Sequence, residues 1–147
     1  MFRGNFPAKI DEKGRLKAPS DFRAVIAEKY GSELFVTSLY GDSVWIYPLP
    51  CWIALEERLA TKAPSLHPVV EKFRNRVNYF GQQTSMDSQG RILIQPLLRE
   101  HAGIDGEVVV LGFNDHLVVW NRAKFEKSKL GEDFTLEDRL ALSDLGI

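Results

Sequence analysis

The heptapeptide Ile10-Asp11-Glu12-Lys13-Gly14-Arg15-Leu16 returns 76 positions later as Met86-Asp87-Ser88-Gln89-Gly90-Arg91-Ile92. Both run apolar, Asp, two polar residues, Gly, Arg, apolar. An Asp leading to a Gly between alternating apolar residues is the composition of a tight β-hairpin. The Gly takes positive φ without a Cβ clash, and the Asp carboxylate accepts hydrogen bonds from its own turn. One device used twice implies two copies of one small unit, which constrains the fold before anything else does.

The likeness extends beyond the turns. Phe6, Ala8 and Ile10 alternate with polar neighbours before the first turn, and Leu16 and Ala18 continue after it. Thr84, Met86, Ile92 and Ile94 occupy the same places in the second copy. Arg23 and Arg99 each follow their turn arginine by eight residues. Leu34–Thr37 answers Val108–Leu111, Asp42–Tyr47 answers Asp115–Trp120, and Trp52 and Phe125 each fall five residues further on. An ordered series of this kind is an internal duplication.

The apolar spacing predicts strand, turn and strand over about Asn5–Ala18, then a helix from an N-cap at Ser20 to Tyr30, ended by Gly31. Strands follow near 33–38 and 43–47. An insert of two helices separates the copies, the first over about Cys51–Thr61. The second starts at an N-cap Ser65 with Pro68 in its first turn, and its stripe of Leu66, Val69, Val70, Phe73, Val77 and Phe80 is expected to be buried. The second copy repeats the order, with its short helix at Pro96–Ala102 ended by Gly103. A helical turn near Arg122–Ser128 and an amphipathic segment with a Thr135/Asp138 capping box complete the tail. The expected units are a first repeat over 5–52, an insert over 53–80, a second repeat over 81–125 and an acidic tail over 126–147.

Neither copy is large enough to build a core alone. Two can close against each other, exchanging hairpins about a pseudo-two-fold axis into a small barrel. The expected class is therefore mainly β with short helices, an α+β fold.

Composition narrows the function. At 147 residues with 44% hydrophobic and 27% charged residues the chain reads as globular, and no apolar run approaches the ~20 residues of a membrane span. The N-terminal residues lack the apolar core of a signal peptide, and the lone Cys51 fits a reducing compartment, so a cytosolic location is expected. The net charge of −1 excludes a chain that is basic all over, so any nucleic-acid contact must come from a local patch. Charge is unevenly placed: Arg3, Lys9, Lys13, Arg15 and Lys17 crowd the first twenty residues, whereas residues 126–147 carry six acids against three cations.

Alternation points Lys9, Asp11, Arg15 and Lys17 outward in the first copy, with Lys13 at the turn. The matching positions in the second copy are Ser85, Asp87, Arg91, Leu93 and Gln89. Asp and Arg recur, so each pair is expected to pin its own turn. The lysines do not recur, which marks them as recruited for an anion. A β-ribbon bearing outward Arg and Lys fits the major groove of B-DNA, where Arg bonds guanine O6 and N7 together. The plainer reading is a solvated charged hairpin. Lys72, Arg74 and Arg76 read as the wetted face of an amphipathic helix. Catalysis finds no footing: His67, His101 and His116 lack metal-ligand spacing, no phosphate loop precedes a helix, and Cys51 reads as a core residue, so no cofactor is expected.

Met1-Phe2-Arg3-Gly4, the Asp11-x-x-Gly14-Arg15-Leu16 turn with Pro19, and Tyr47-Pro48-Leu49-Pro50-x-Trp52 resemble the MraZ family. So do Met86-Asp87-x-x-Gly90-Arg91-Ile92-Leu93-Ile94 and Leu98-Arg99-x-His101-Ala102-Gly103. The resemblance implies two AbrB-type (SpoVT-AbrB) swapped-hairpin repeats in a double-split β-barrel, with a helical insert and a helical tail. It implies a non-enzymatic, nucleoid-associated repressor of the division and cell-wall gene cluster that contains its own gene. Its partners would be promoter direct repeats of double-stranded DNA and further copies of itself, in a ring of about eight or more. The family's Asp-x-x-x-Arg motif falls on Asp11 to Arg15 and Asp87 to Arg91. Arg15 inherits the DNA contact most directly, supported by Lys13, Lys17, Lys9 and Arg3, while Gly14 and Gly90 complete the turns. A ring-shaped adaptor that binds a protein partner is the alternative.

Overall fold

In a computed structural model, residues 1–62 and 66–147 are described. They form a mixed α+β fold dominated by antiparallel sheet. Strands β1 (Asn5–Lys9), β2 (Arg15–Lys17), β3 (Glu33–Thr37) and β4 (Val44–Pro48) come from the first half of the chain. Strands β5 (Gln82–Ser85), β6 (Arg91–Leu93), β7 (Glu107–Phe113) and β8 (His116–Asn121) come from the second. The helices are α1 (Ser20–Lys29), α2 (Leu49–Lys62), α3 (Pro68–Tyr79), α4 (Pro96–Ala102), α5 (Arg122–Ser128) and α6 (Leu136–Asp144).

Six strands make one sheet in the order β1-β7-β8-β4-β3-β5, and β2 and β6 form a separate ribbon. The order is unchanged when first-half strands are exchanged for their second-half counterparts. Register obeys the same exchange. In the ribbon Leu16 faces Ile92, flanked by Arg15–Leu93 and Lys17–Arg91. In the middle of the large sheet Trp45 faces Val118, flanked by Val44–Val119 and Ile46–Leu117. At the edges β1 pairs with β7 and β5 with β3, so each half lends its first strand to the other.

The hairpins expected on either side of each turn are not continuous. After the single bridge Ile10–Leu16 the strands part, β1 toward β7 and β2 toward β6. The reason lies in pairing length: β1 gains five partners along β7, more than the three residues of β2 could offer. Alternation still sets the faces. Leu16, Ala18, Ile92 and Ile94 are buried with Phe22, Ile26, Leu34, Val36, Leu98 and Val108, and Phe6, Ala8 and Ile10 pack against that core.

Helix boundaries show which signals carried weight. Helix α4 spans Pro96–Ala102 and ends on Gly103 in the left-handed region (φ 65°), as its sequence dictates. Pro19 rather than Ser20 precedes α1, and no side chain caps it. The expected cap Ser65 lies outside the described residues; α3 begins at Pro68, and His67 Nδ1 accepts the Val69 N–H at 3.1 Å. Val70, Val77 and Phe80 of the insert stripe are buried and Phe73 is half-buried, but Leu66 and Val69 are exposed. Leu66 lies before α3 and Val69 in its first turn, ahead of the residues that pack into the core. Cys51 is half-buried beside the Tyr47–Trp52–Val77 cluster, and burial pushes its thiol pKa up, away from a reactive thiolate.

Candidate nucleic-acid interface

Both turns are built identically. Asp11 Oδ1 accepts the N–H groups of Lys13 (3.0 Å) and Arg15 (2.8 Å), and Asp11 Oδ2 accepts Arg15 Nε at 2.8 Å. Asp87 does the same with the N–H groups of Gln89 and Arg91, both at 2.9 Å, and with Arg91 Nε at 2.8 Å. In each turn the Gly N–H donates to the Asp carbonyl at 3.0 Å, with the glycine at positive φ (Gly14 82°, Gly90 77°). The backbone N–H of Arg15 is the largest influence holding the Asp11 carboxyl below its ordinary pKa. Desolvation, next in size, opposes it, while the Arg15 guanidinium and the Lys13 N–H add to it. The Arg91 N–H leads the same effect at Asp87. In both copies the Asp carboxylate thus bonds the turn backbone and the guanidinium of the Arg four residues on.

The turns then clasp each other. Ala18 N–H donates to Gly90 O (2.8 Å) and Ile94 N–H to Gly14 O (3.0 Å). Arg23 reaches the second turn and donates to Ser88 O at 2.7 Å. Arg99 lies over Gly14 and donates from Nε to Ile94 O at 2.8 Å. The equal spacing of Arg23 and Arg99 behind their turns was visible in the sequence, but their role was not, because it depends on pairing between halves.

This clasp fixes what faces outward. Leu16 and Ile92 are fully buried on one side of the ribbon, so alternation puts Arg15, Lys17, Arg91 and Leu93 on the other. Lys17 and Arg91 are direct cross-strand partners. Arg91, whose sequence neighbours Gln89 and Leu93 are uncharged, thus joins a cationic face built from both copies. Arg15 and Arg91 are half-exposed, and each uses Nε on its own Asp, leaving the terminal guanidinium nitrogens free of intramolecular hydrogen bonds among the described residues. Lys13 is exposed at the turn. Lys9 and Lys17, also exposed, line one open groove of about 680 Å³ with Phe6, Ala8, Ala18 and Pro19.

Two candidate cations differ from this group. Lys9 sits opposite Glu107 across the β1–β7 pair, so part of its charge is offset. Arg3 lies beyond the far end of β1, against the β7–β8 turn, where Phe2 and Asn114 exchange backbone hydrogen bonds of 2.7 and 2.9 Å. The five-residue strand β1 stands between it and Lys9, a span of roughly 15 Å.

The histidines are used structurally. His67 caps α3, His101 meets Phe80 edge-on at 5.0 Å, and His116 stacks on Tyr47 at 4.2 Å with Nδ1 2.8 Å from Asp115. Among the described residues no cluster of three or more His, Cys, Asp or Glu is placed to hold a metal ion, and no helix is long and apolar enough to cross a membrane.

Residues 1–75 and 81–139 match a family described as "MraZ protein, putative antitoxin-like". A protein of Acidobacterium capsulatum named Transcriptional regulator MraZ is 46% identical over 147 residues, covering the whole of both chains. One of the same name from Koribacter versatilis is 48% identical over 148 residues, again covering both completely. The Escherichia coli K12 protein of that name is 32% identical over 146 residues, 99% of this chain and 94% of its own. Matched by the family over residues 1–75 and 81–139 and by these relatives over nearly its whole length, this chain belongs to the MraZ family.

Proposed function

We propose that the chain is a transcriptional regulator that grips double-stranded DNA with the outer face of the β2–β6 ribbon. The observation that carries this is the convergence of Arg15, Lys17 and Arg91 on one exposed face, backed by turns rigid enough to present it. Phosphates attract such a face whatever the sequence, while an arginine whose Nε is already fixed can offer its terminal nitrogens to a guanine edge. Arg15 takes the base-reading role. Lys17, Lys13 and Lys9 hold phosphates, Arg91 extends the patch, and Arg3 reaches DNA only along a surface remote from the ribbon. No step in this function calls for catalysis or a cofactor.

The names of the relatives support regulation of transcription. The family resemblance supplies the finer reading: two AbrB-type repeats in a double-split barrel, and repression of a division and cell-wall gene cluster through promoter direct repeats. It also supplies a cytoplasmic, nucleoid-associated location and a ring of about eight or more copies. One ribbon neutralises few phosphates, so repeated ribbons on repeated sites raise affinity through effective concentration. In a gel-shift assay on the DNA upstream of the gene, Arg15→Ala should abolish the specific complex while the chain, though less stable, still folds and assembles. Unaltered specific binding by this variant refutes the assignment.

A further inference from the structure

Leu93 is 40% exposed on β6, between two isoleucines that are fully buried. Its direction is fixed by them. Ile92 faces Leu16 beneath the ribbon, and Ile94 donates its N–H to Gly14 O at 3.0 Å, so alternation turns the leucine outward. An exposed leucine by itself is ordinary. This one is set apart by its neighbours: it is the direct cross-strand partner of Arg15, and Lys17 and Arg91 complete the same face. Those three are cationic, and the fourth position carries an apolar side chain.

Exchanging the halves of the chain places Arg91 on Arg15 and Leu93 on Lys17. The ribbon therefore presents two unlike halves, Arg91 beside Lys17 and Arg15 beside Leu93. The first pair carries two charges, which suits phosphate oxygens. The second sets a guanidinium next to an apolar group. Arg15 keeps Nε on Asp11 and has its terminal nitrogens free of intramolecular hydrogen bonds among the described residues. A leucine gains nothing against a phosphate. Among the base edges of the major groove, the apolar group on offer is the 5-methyl of thymine. Directly opposed strand residues hold their Cβ atoms about 4.5–5.5 Å apart, whereas successive base pairs rise by about 3.4 Å. With Arg15 on a guanine, Leu93 therefore meets the next base pair.

We propose that Leu93 packs on the 5-methyl group of a thymine in the base pair next to the guanine held by Arg15, and so helps to select the operator. The contact rests on the reading above, in which DNA lies on the outer face of the ribbon. It adds a specificity contact from the half of the chain whose turn carries no lysine. Because Arg91 has Lys17 rather than a leucine beside it, a bound ribbon has one direction along the duplex.

The test uses the full chain and the duplex upstream of the gene, with binding read by fluorescence anisotropy. One guanine at a time is replaced by 7-deazaguanine, which lacks the N7 acceptor, and one thymine at a time by deoxyuridine, which lacks only the methyl. Guanines whose replacement weakens wild type but not Arg15→Ala mark the Arg15 contact. Deoxyuridine in a base pair beside a marked guanine should weaken wild type about 4-fold, the effect of one buried methyl-sized group. Leu93→Ala changes an exposed position, so circular dichroism should show the fold unchanged. That variant should bind the unmodified duplex more weakly than wild type and ignore the deoxyuridine. Leu93→Met keeps the apolar reach and should stay sensitive to it. Wild type indifferent to deoxyuridine beside every marked guanine, or Leu93→Ala as sensitive as wild type, overturns the contact and leaves the DNA reading standing. Binding in which no guanine is marked overturns the contact as well, since it needs Arg15 on a guanine. Wild type that does not bind the duplex overturns both.

Discussion

Arg99 lies across Gly14 so closely that a Cβ on the glycine would stand 2.3 Å from both its Nε and its Cζ. Arg23 crosses Gly90 in the same way, with Cδ 2.7 Å from such an atom. Each turn glycine is therefore required twice, once for its positive φ and once for the arginine from the other half of the chain. The cationic ribbon owes its shape to this reciprocal clasp, since a two-stranded ribbon is marginal by itself.

Gly14→Ala should lower stability by about 1–3 kcal/mol, combining left-handed strain with displacement of Arg99. Gly31 offers the control: it has φ 82° but nothing within 4 Å of an added Cβ, so Gly31→Ala carries the conformational cost alone. Denaturant unfolding should rank Gly14→Ala as the more destabilising. Adding Arg99→Ala to Gly14→Ala should then cost less than the two single effects summed.

The carboxyl groups of Asp11 and Asp87 titrate below their ordinary 3.8 in the folded chain. A folded-state pKa depressed in this way contributes stability that is complete above the unfolded value and lost as pH falls through the folded one. Unfolding midpoints should therefore hold steady from pH 7 to about pH 4 and fall below it. Asp11→Asn/Asp87→Asn should start lower at pH 7 and show a shallower acid slope. A parallel slope would show that other groups govern acid unfolding.

Leu16 and Ile92 face each other at the centre of the ribbon and are fully buried. Truncating either to Ala should cost about 2–5 kcal/mol by cavity formation. Because the residues touch across one cavity, the double variant should deviate from additivity. The same truncation at exposed Leu93 should change the unfolding midpoint little.

The sequence carried the fold at the level of elements, because positive-φ glycines, alternating apolar residues and the Pro96–Gly103 helix are local signals. It could not carry the partnering. Nothing in residues 5–18 says that β1 prefers β7 to β2, since that choice depends on how long a partner the other half supplies. The same gap hid Arg91, whose place beside Lys17 arises only from the pairing of β2 with β6. Arg3 shows the same limit: strand β1 stands between it and Lys9, a separation that charge spacing along the chain does not reveal. The Asp–Arg pairs were legible because both partners lie within one turn.

Replacing the ribbon cations should separate two kinds of contact. Lys17→Ala and Arg91→Ala should weaken binding to operator and unrelated DNA alike, whereas Arg15→Ala should erase the difference between them. Competition binding with both duplexes reads this directly. Equal losses for all three variants would place Arg15 among the phosphate contacts.

The most direct measurement is the salt dependence of binding to the DNA upstream of the gene, by fluorescence anisotropy. With roughly 6–10 phosphates neutralised by several ribbons together, affinity should fall on the order of 10³–10⁵-fold between 50 and 200 mM salt. Lys17→Ala should make that slope shallower. A flat salt response, or a slope unchanged by Lys17→Ala, would contradict a ribbon that holds DNA by its charged face.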